Sequence, residues 1–150
     1  MSLAREVGER VAAMRYDDLP PEAVHWSKVA LLDTIGVTLA GAREDTTALV
    51  VEALELRPES GPCLVLGSAK RVAALDAALA NGVAAHALDY DNTAKNFGGH
   101  VSAVMVPALL AAAEAHGSSG RDLILGHAAG YELGNAIGRS VNPGHSEKGW

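Results

Sequence analysis

Glycine occupies every fourth position from Gly126 to Gly138 within SGRDLILGHAAGYELGNAIG, a stretch whose other residues are patterned as a helix. In a helix interior each glycine costs about 1 kcal/mol against alanine. A row at this period lies along one ridge, so the cost is offset only where another element crosses that ridge with its backbone in close contact. The pattern therefore predicts a second helix packed on the glycines. A membrane dimer seam is excluded as the explanation, because Arg121, Asp122, His127, Glu132, Asn135 and Arg139 are interspersed. Composition points the same way: apolar residues make up 49% of the 150-residue chain and aromatics only 4%, with Gly 16. Such a chain is expected to be all-α, a single bundle-like unit with small residues between its helices.

Periodicity places helices at about 3–14, 21–42, 46–57, 73–88, 101–116 and 120–141, with a short hairpin near 62–73 in which Cys63 to Leu66 pairs with Arg71 and Val72. The second helix is apolar almost all round from Val29 to Ala40 and is expected to be central and buried, Asp33 with it. In the third, Leu49, Val50, Ala53 and Leu54 are expected to face inward, and in the fourth Leu75, Ala78, Leu79, Gly82, Val83 and His86. The fifth shows a stripe of Val101, Val104, Met105, Ala108, Leu109 and Ala112, with Pro107 predicting a kink. Ser119 and Asp122 form a near capping box for the sixth. Cys63 is expected in the core, Lys70 and Arg71 as solvated cations, and His116 and His127 as structural residues.

The formal net charge of −6, with no basic run, argues against nucleic acid or an anionic membrane as partner. A lone cysteine excludes an internal disulfide and a Cys-based zinc site, and suits the cytoplasm. Arg5, Glu6, Glu9 and Arg10 interrupt any secretory signal, and the longest apolar run, 101–115, is too short to span a bilayer.

Polar chemistry is concentrated in NGVAAHALDYDNTAKNFGGHVSAVMV, residues 81–106, where an alanine-rich helix runs into His86, Asp89, Asp91, Asn92, Thr93, Lys95, Asn96 and His100. Three readings of this cluster compete. Its carboxylates and His100 exchange protons with a small organic acid oriented by Thr93; or His86, Asp89, Asp91 and His100 ligate a divalent metal; or the residues only cap a helix and shape a turn. Spacing alone does not choose among them.

LLDTIGVTLAG at 31–41, ALANGVAAHALDYDNT at 78–93, GHVSAVMVPALLAAAEA at 99–115, SGRDLILGHAAGYELGNAIG at 119–138 and the closing H-x-x-x-G-W at 145–150 together resemble the amino-terminal part of the MmgE/PrpD family. This family comprises 2-methylcitrate dehydratases, cis-aconitate decarboxylases and iminodisuccinate epimerases. The resemblance implies a segment of a large helical domain, followed in full-length members by a lid domain, usually in a homodimer. It also implies lyase chemistry on a small di- or tricarboxylate, as in propionate metabolism, with no metal or organic cofactor. Carried over residue by residue, it makes Asp89 an orienting or basic carboxylate, Thr93 a hydrogen-bonding hydroxyl and His100 a proton donor or acceptor, with Asp91 and His86 in support.

Two departures stand out. Asn92 replaces the motif's second adjacent acid, and Trp150 falls one residue short of a further family histidine. The lysines that hold substrate carboxylates, and the lid, come later still in the family. The expectation is a fragment, split-gene subunit or remnant, inactive alone, or else a non-catalytic helical module that pairs with a complementary chain.

Overall fold

A computed structural model describes residues 2–141 and 144–149, without the side chains of His145 and Ser146. Helix α1 spans Leu3–Ala13 and a 3-10 turn spans Tyr16–Asp18. Then come α2 (Pro21–Gly41), α3 (Asp45–Ala53), strands β1 (Cys63–Leu64) and β2 (Arg71–Val72), α4 (Ala74–His86), α5 (Val101–His116), α6 (Gly120–Val141) and α7 (Gly144–Glu147). The strands pair antiparallel, Cys63 opposite Val72. The all-α expectation, with one small hairpin, holds.

Helix α4 is the centre of the bundle, packed on α5, α2 and α3. Its buried side is Ala77, Ala80, Asn81, Ala84 and Ala85, and small residues there let neighbouring backbones approach. At Gly41 of α2 an added methyl group would lie 3.1 Å from the Ala84 carbonyl carbon. At Gly82 it would lie 3.2 Å from the carbonyl oxygen of Ala103, the group whose helical donor Pro107 cannot supply. Asn81 ties the hairpin to α4: its side-chain oxygen accepts from Leu66 N–H (2.8 Å) and its amide donates to the Leu64 carbonyl (2.9 Å). Beneath the hairpin, Cys63, Val65, Val72, Leu56, Ala77, Ala80 and Ala111 make one core cluster, while Leu31, Val106 and Ile124 make another. The Cys63 thiol donates to the Ala111 carbonyl at 3.1 Å.

Several inward faces differ from expectation. On α4 the leucine side is outward, with Leu75 85% exposed; the alanine side wins because only it permits backbone-close packing on α2 and α5. On α5, Val104 is 73% exposed, and the buried set is Val101, Ser102, Ala103, Val106, Pro107 and Ala111. On α2, Ser27, Leu31, Thr34, Thr38 and Gly41 face inward, but Leu32 is 74% exposed and Asp33 is exposed too. Helices α4, α5 and α6 all lie against one side of α2. On α3, Thr47 is buried while Leu49 and Ala53 are exposed. The buried threonines bond within the chain: Thr34 and Thr38 hydroxyls donate to the carbonyls one turn back, Ala30 and Thr34. Helix α1 buries none of its residues.

Lys70 and Arg71 are tethers rather than free cations. Lys70 Nζ donates to the Leu56 carbonyl (3.0 Å), and Arg71 reaches the Pro62 carbonyl (2.6 Å) and Glu114 (3.3 Å). Ser119 and Asp122 form the expected cap, Asp122 Oδ2 accepting from the Ser119 amide and hydroxyl at 2.9 and 2.8 Å.

The glycine ridge of α6 is met by two different things. Methyl groups added at Gly126 and Gly130 would meet Leu109 Cδ2 at 2.9 Å and Met105 Sδ at 2.7 Å, both on α5. At Gly134 the obstacle is the Phe97 ring, and at Gly138 it is main chain, the Asn96 carbonyl carbon at 2.8 Å and Phe97 Cα at 2.9 Å. Rise per residue explains the change. Gly126 to Gly138 spans ~18 Å, whereas α5 runs only ~12 Å from Leu109 back to its first residue. A crossing helix covers the first part of the ridge, and the loop before α5 covers the remainder. Gly138→Ala, facing immovable backbone, should destabilise the fold by about 1–3 kcal/mol. Gly126→Ala, facing one leucine methyl and gaining helix propensity, should stay within about 1 kcal/mol of wild type. Equal shifts of the two urea midpoints would contradict this account of the ridge.

Candidate active site

Where α4 ends, Asp89 adopts a left-handed backbone conformation, φ 55°, which aspartate tolerates better than most residues at a cost of about 1 kcal/mol. The Asp89 amide donates to the His86 carbonyl at 3.0 Å. This sharp turn sends the chain back under α4 and buries Asp91. A second tight turn follows: Ala94 N–H donates to the Gly99 carbonyl (3.0 Å), Gly98 N–H donates to the Ala94 carbonyl (2.9 Å), and Gly98 takes φ 80°. The loop so closed, seated on Gly134 and Gly138, returns His100 to the end of α4 as the residue before α5.

His86, Asp89, Asp91 and His100 are thereby brought together, one ligand-type atom from each lying within 4.8 Å of the others. The Asp91 side chain is 0% exposed and holds both imidazoles. Its Oδ1 lies 2.9 Å from His86 Nδ1, and its Oδ2 lies 3.1 Å from His100 Nδ1, which also faces the Asp91 carbonyl oxygen at 3.2 Å. That ring N–H is aimed at the carbonyl, so Oδ2 gains the electrostatic contact without an aligned hydrogen bond. Asp89, 77% exposed, stands 3.4 Å from His100 Nε2. The two rings meet edge to face, centroids 4.6 Å apart. Thr93 is exposed and makes no side-chain hydrogen bond among the described residues, so it stands apart from the four. The closing segment contributes nothing that can be weighed, since Trp150 and the His145 side chain lie outside the described residues.

This spacing would allow a divalent ion to be gathered; in the structure the buried carboxylate lies against one ring nitrogen of each histidine. Imidazoles paired to a carboxylate beside a second, exposed carboxylate are equipped for proton transfer. His86 and His100 stand at one end of a cleft of about 580 Å³ between α4 and α5, walled by Leu79, Val83 and Val104. A second cleft, about 590 Å³, lies between α2 and α6 and reaches Asn92 of the site loop. Among the described residues, none lining either cleft is a lysine or an arginine.

Two features had no sequence signal. Asp91, rather than Asp89, is the buried hub, because the turn at Asp89 decides which carboxylate goes under the helix. His127, for which surface and core were both open, is in the core: its Nδ1 pairs with Ser27 Oγ at 3.1 Å across 100 residues of chain, and its Nε2 is buried without a hydrogen bond among the described residues.

The hydrogen bond and charge of Asp91 raise the His86 pKa above its usual value, whereas burial lowers that of His127. The signs of the two effects on stability are opposite. A raised histidine contributes stability that is present below its unfolded value of about 6.5 and is lost as pH rises through the folded value. A lowered one costs stability as pH falls below about 6.5, because the unfolded chain takes up a proton the folded one refuses. His86→Asn should therefore destabilise more at about pH 5.5 than at pH 8, and His127→Gln should make the protein less acid-sensitive. Urea midpoints across that range test both; pH-independent differences would contradict the pairing.

Among known proteins, the model for the MmgE/PrpD N-terminal domain matches residues 5–150. Cis-aconitate decarboxylase of Aspergillus terreus is 28% identical over 130 residues, 83% of this chain and 26% of that protein. Cis-aconitate decarboxylase-like protein oryM of Aspergillus oryzae is 26% identical over 147 residues, 93% of this chain and 30% of that protein. The chain thus spans less than a third of the length of these relatives. With the motif residues gathered at one end of α4 and the family model covering nearly every position, the chain belongs to the MmgE/PrpD family.

Proposed function

We propose that residues 1–150 are the amino-terminal segment of the helical domain of a cofactor-independent lyase of the 2-methylcitrate dehydratase type, acting on a small di- or tricarboxylic acid. The observation that carries this reading is the imidazole pair held on buried Asp91 beside exposed Asp89 at the mouth of a cleft. His100 Nε2 takes a proton from the carbon next to a substrate carboxylate. The C–H electron pair becomes the new C=C bond as the C–O bond breaks, and the departing hydroxide takes the proton from the imidazolium to leave as water. In a decarboxylation the ring enters protonated: the C–C electron pair stays on the carbon as CO2 leaves, and Nε2–H gives its proton to that carbon. Asp89 stabilises the imidazolium, and Thr93 donates to the substrate once the substrate is bound.

Such chemistry develops negative charge that needs fixed cations, and among the described residues neither cleft is lined by lysine or arginine. By itself the chain is therefore inactive, and the cations come from a further segment, a second copy in a homodimer or a complementary chain. A second reading, a non-catalytic helical module that pairs with another chain, draws on the outward apolar residues Leu32, Leu75 and Val104. Both readings place the protein in the cytoplasm, away from nucleic acid and membrane; among the described residues no helix is long and apolar enough to cross a bilayer.

Purified chain should give no appreciable turnover of cis-aconitate or 2-methylcitrate, while either acid should shift the amide resonances of Asp89, Thr93 and His100. Turnover by the chain alone would refute its dependence on a partner. Unmoved resonances at high substrate would refute the site.

A further inference from the structure

We infer that Asp91 is a shared positioning residue: its buried carboxylate fixes the tautomer of His86 and its own backbone carbonyl that of His100, so that one residue decides which nitrogen each ring presents to a carboxylate substrate. The inference deepens the proton-transfer reading above and rests on it for the identity of the substrate, but its geometry stands independently.

The Asp91 side chain is shut off from water, so its charge must be met by donors within the protein. His86 Nδ1, 2.9 Å from Oδ1, is the hydrogen-bond donor, while His100 Nδ1 lies 3.1 Å from Oδ2 without an aligned hydrogen bond. What fixes the proton of His100 is the Asp91 carbonyl oxygen, 3.2 Å from the same nitrogen, which can only accept. Nδ1 of His100 therefore carries hydrogen in the neutral ring, and the lone pair is on Nε2, beside Asp89 Oδ1 at 3.4 Å. This is not the Nε2–H form that free histidine favours in water, and it leaves on the substrate side the nitrogen that can receive a proton.

His86 is held in the same sense but serves differently. Its side chain is 54% exposed, and the groups facing it are Asp91, Asp89 and the edge of His100. With Nδ1–H given to Asp91, protonation adds Nε2–H, a cationic donor 4.6 Å from the His100 ring, measured between centroids, close enough for both rings to address one molecule. A single residue thus leaves one imidazole to accept a proton and the other to hold substrate charge.

Long-range proton–nitrogen correlation spectra of the full 150-residue chain, recorded between about pH 5.5 and 8, test this without any substrate. Neutral His100 is expected as Nδ1–H with Nε2 unprotonated, and neutral His86 likewise. Asp91→Asn keeps the shape but turns one acceptor into an amide donor, so at least one ring should convert to Nε2–H and the His86 midpoint should move down toward the ordinary histidine value. An Nε2–H form of His100 in the wild-type chain overturns the inference, whether or not the variant folds. So does a folded Asp91→Asn protein with both rings and the His86 midpoint unchanged. Tautomers as stated, with no response to cis-aconitate, support this inference and count against the proton-transfer reading alone.

Discussion

Close contact between the loop 94–99 and the end of the α6 glycine ridge is the constraint on which the site depends. Phe97 lies against Gly134, and the main chain of Asn96 and Phe97 lies against Gly138, with no room for even a methyl group. A loop of small and polar residues has little apolar area with which to hold itself in place, and here shape complementarity to a flat helical ridge supplies the fixed seat. Once the loop is seated, His100 has nowhere to go but back to Asp91. The four glycines therefore serve two purposes with one repeat: the first two bring α5 close, and the last two fix the loop that leads to His100.

That division shows how far the sequence could be read. The period from Gly126 to Gly138 announced a close crossing, and composition announced helices; both are local signals that tertiary context did not override. What crosses the second half of the ridge was not legible, because it depends on where α5 begins in space. The inward face of α4 was misjudged for a related reason. Leu75 and Leu79 are the more apolar residues, but burial there follows how closely backbones can approach, and Ala77, Ala80 and Ala84 permit that approach. The outward apolar residues of α2, such as Leu32, defeat any pattern rule that equates apolar with buried within a single chain.

Within the site, the family motif named residues of which the fold brings four together, His86, Asp89, Asp91 and His100, but it did not show which of them is buried. The sequence presents Asp89 and Asp91 as equals two positions apart. Backbone geometry separates them: a left-handed residue at Asp89 leaves its own side chain in solvent and drives the next carboxylate, two residues on, beneath the helix. Position 89 thus answers to two demands, since a residue there must both tolerate positive φ and carry a charge. Glycine would meet the first demand alone and glutamate chiefly the second. Of the common residues, aspartate comes nearest to meeting both.

Cys63 gives the fold an internal clock. It is the chain's single thiol, fully buried between the hairpin and α5, and burial raises its pKa so that the reactive thiolate is scarce even when a reagent arrives. Alkylation can proceed only when the hairpin lifts from Ala111, which means releasing the Asn81 bridge and the Lys70 and Arg71 tethers. The rate at which this one sulfur is modified therefore counts openings of the hairpin half of the bundle, separately from any motion at the end of α4, and needs no label to be introduced.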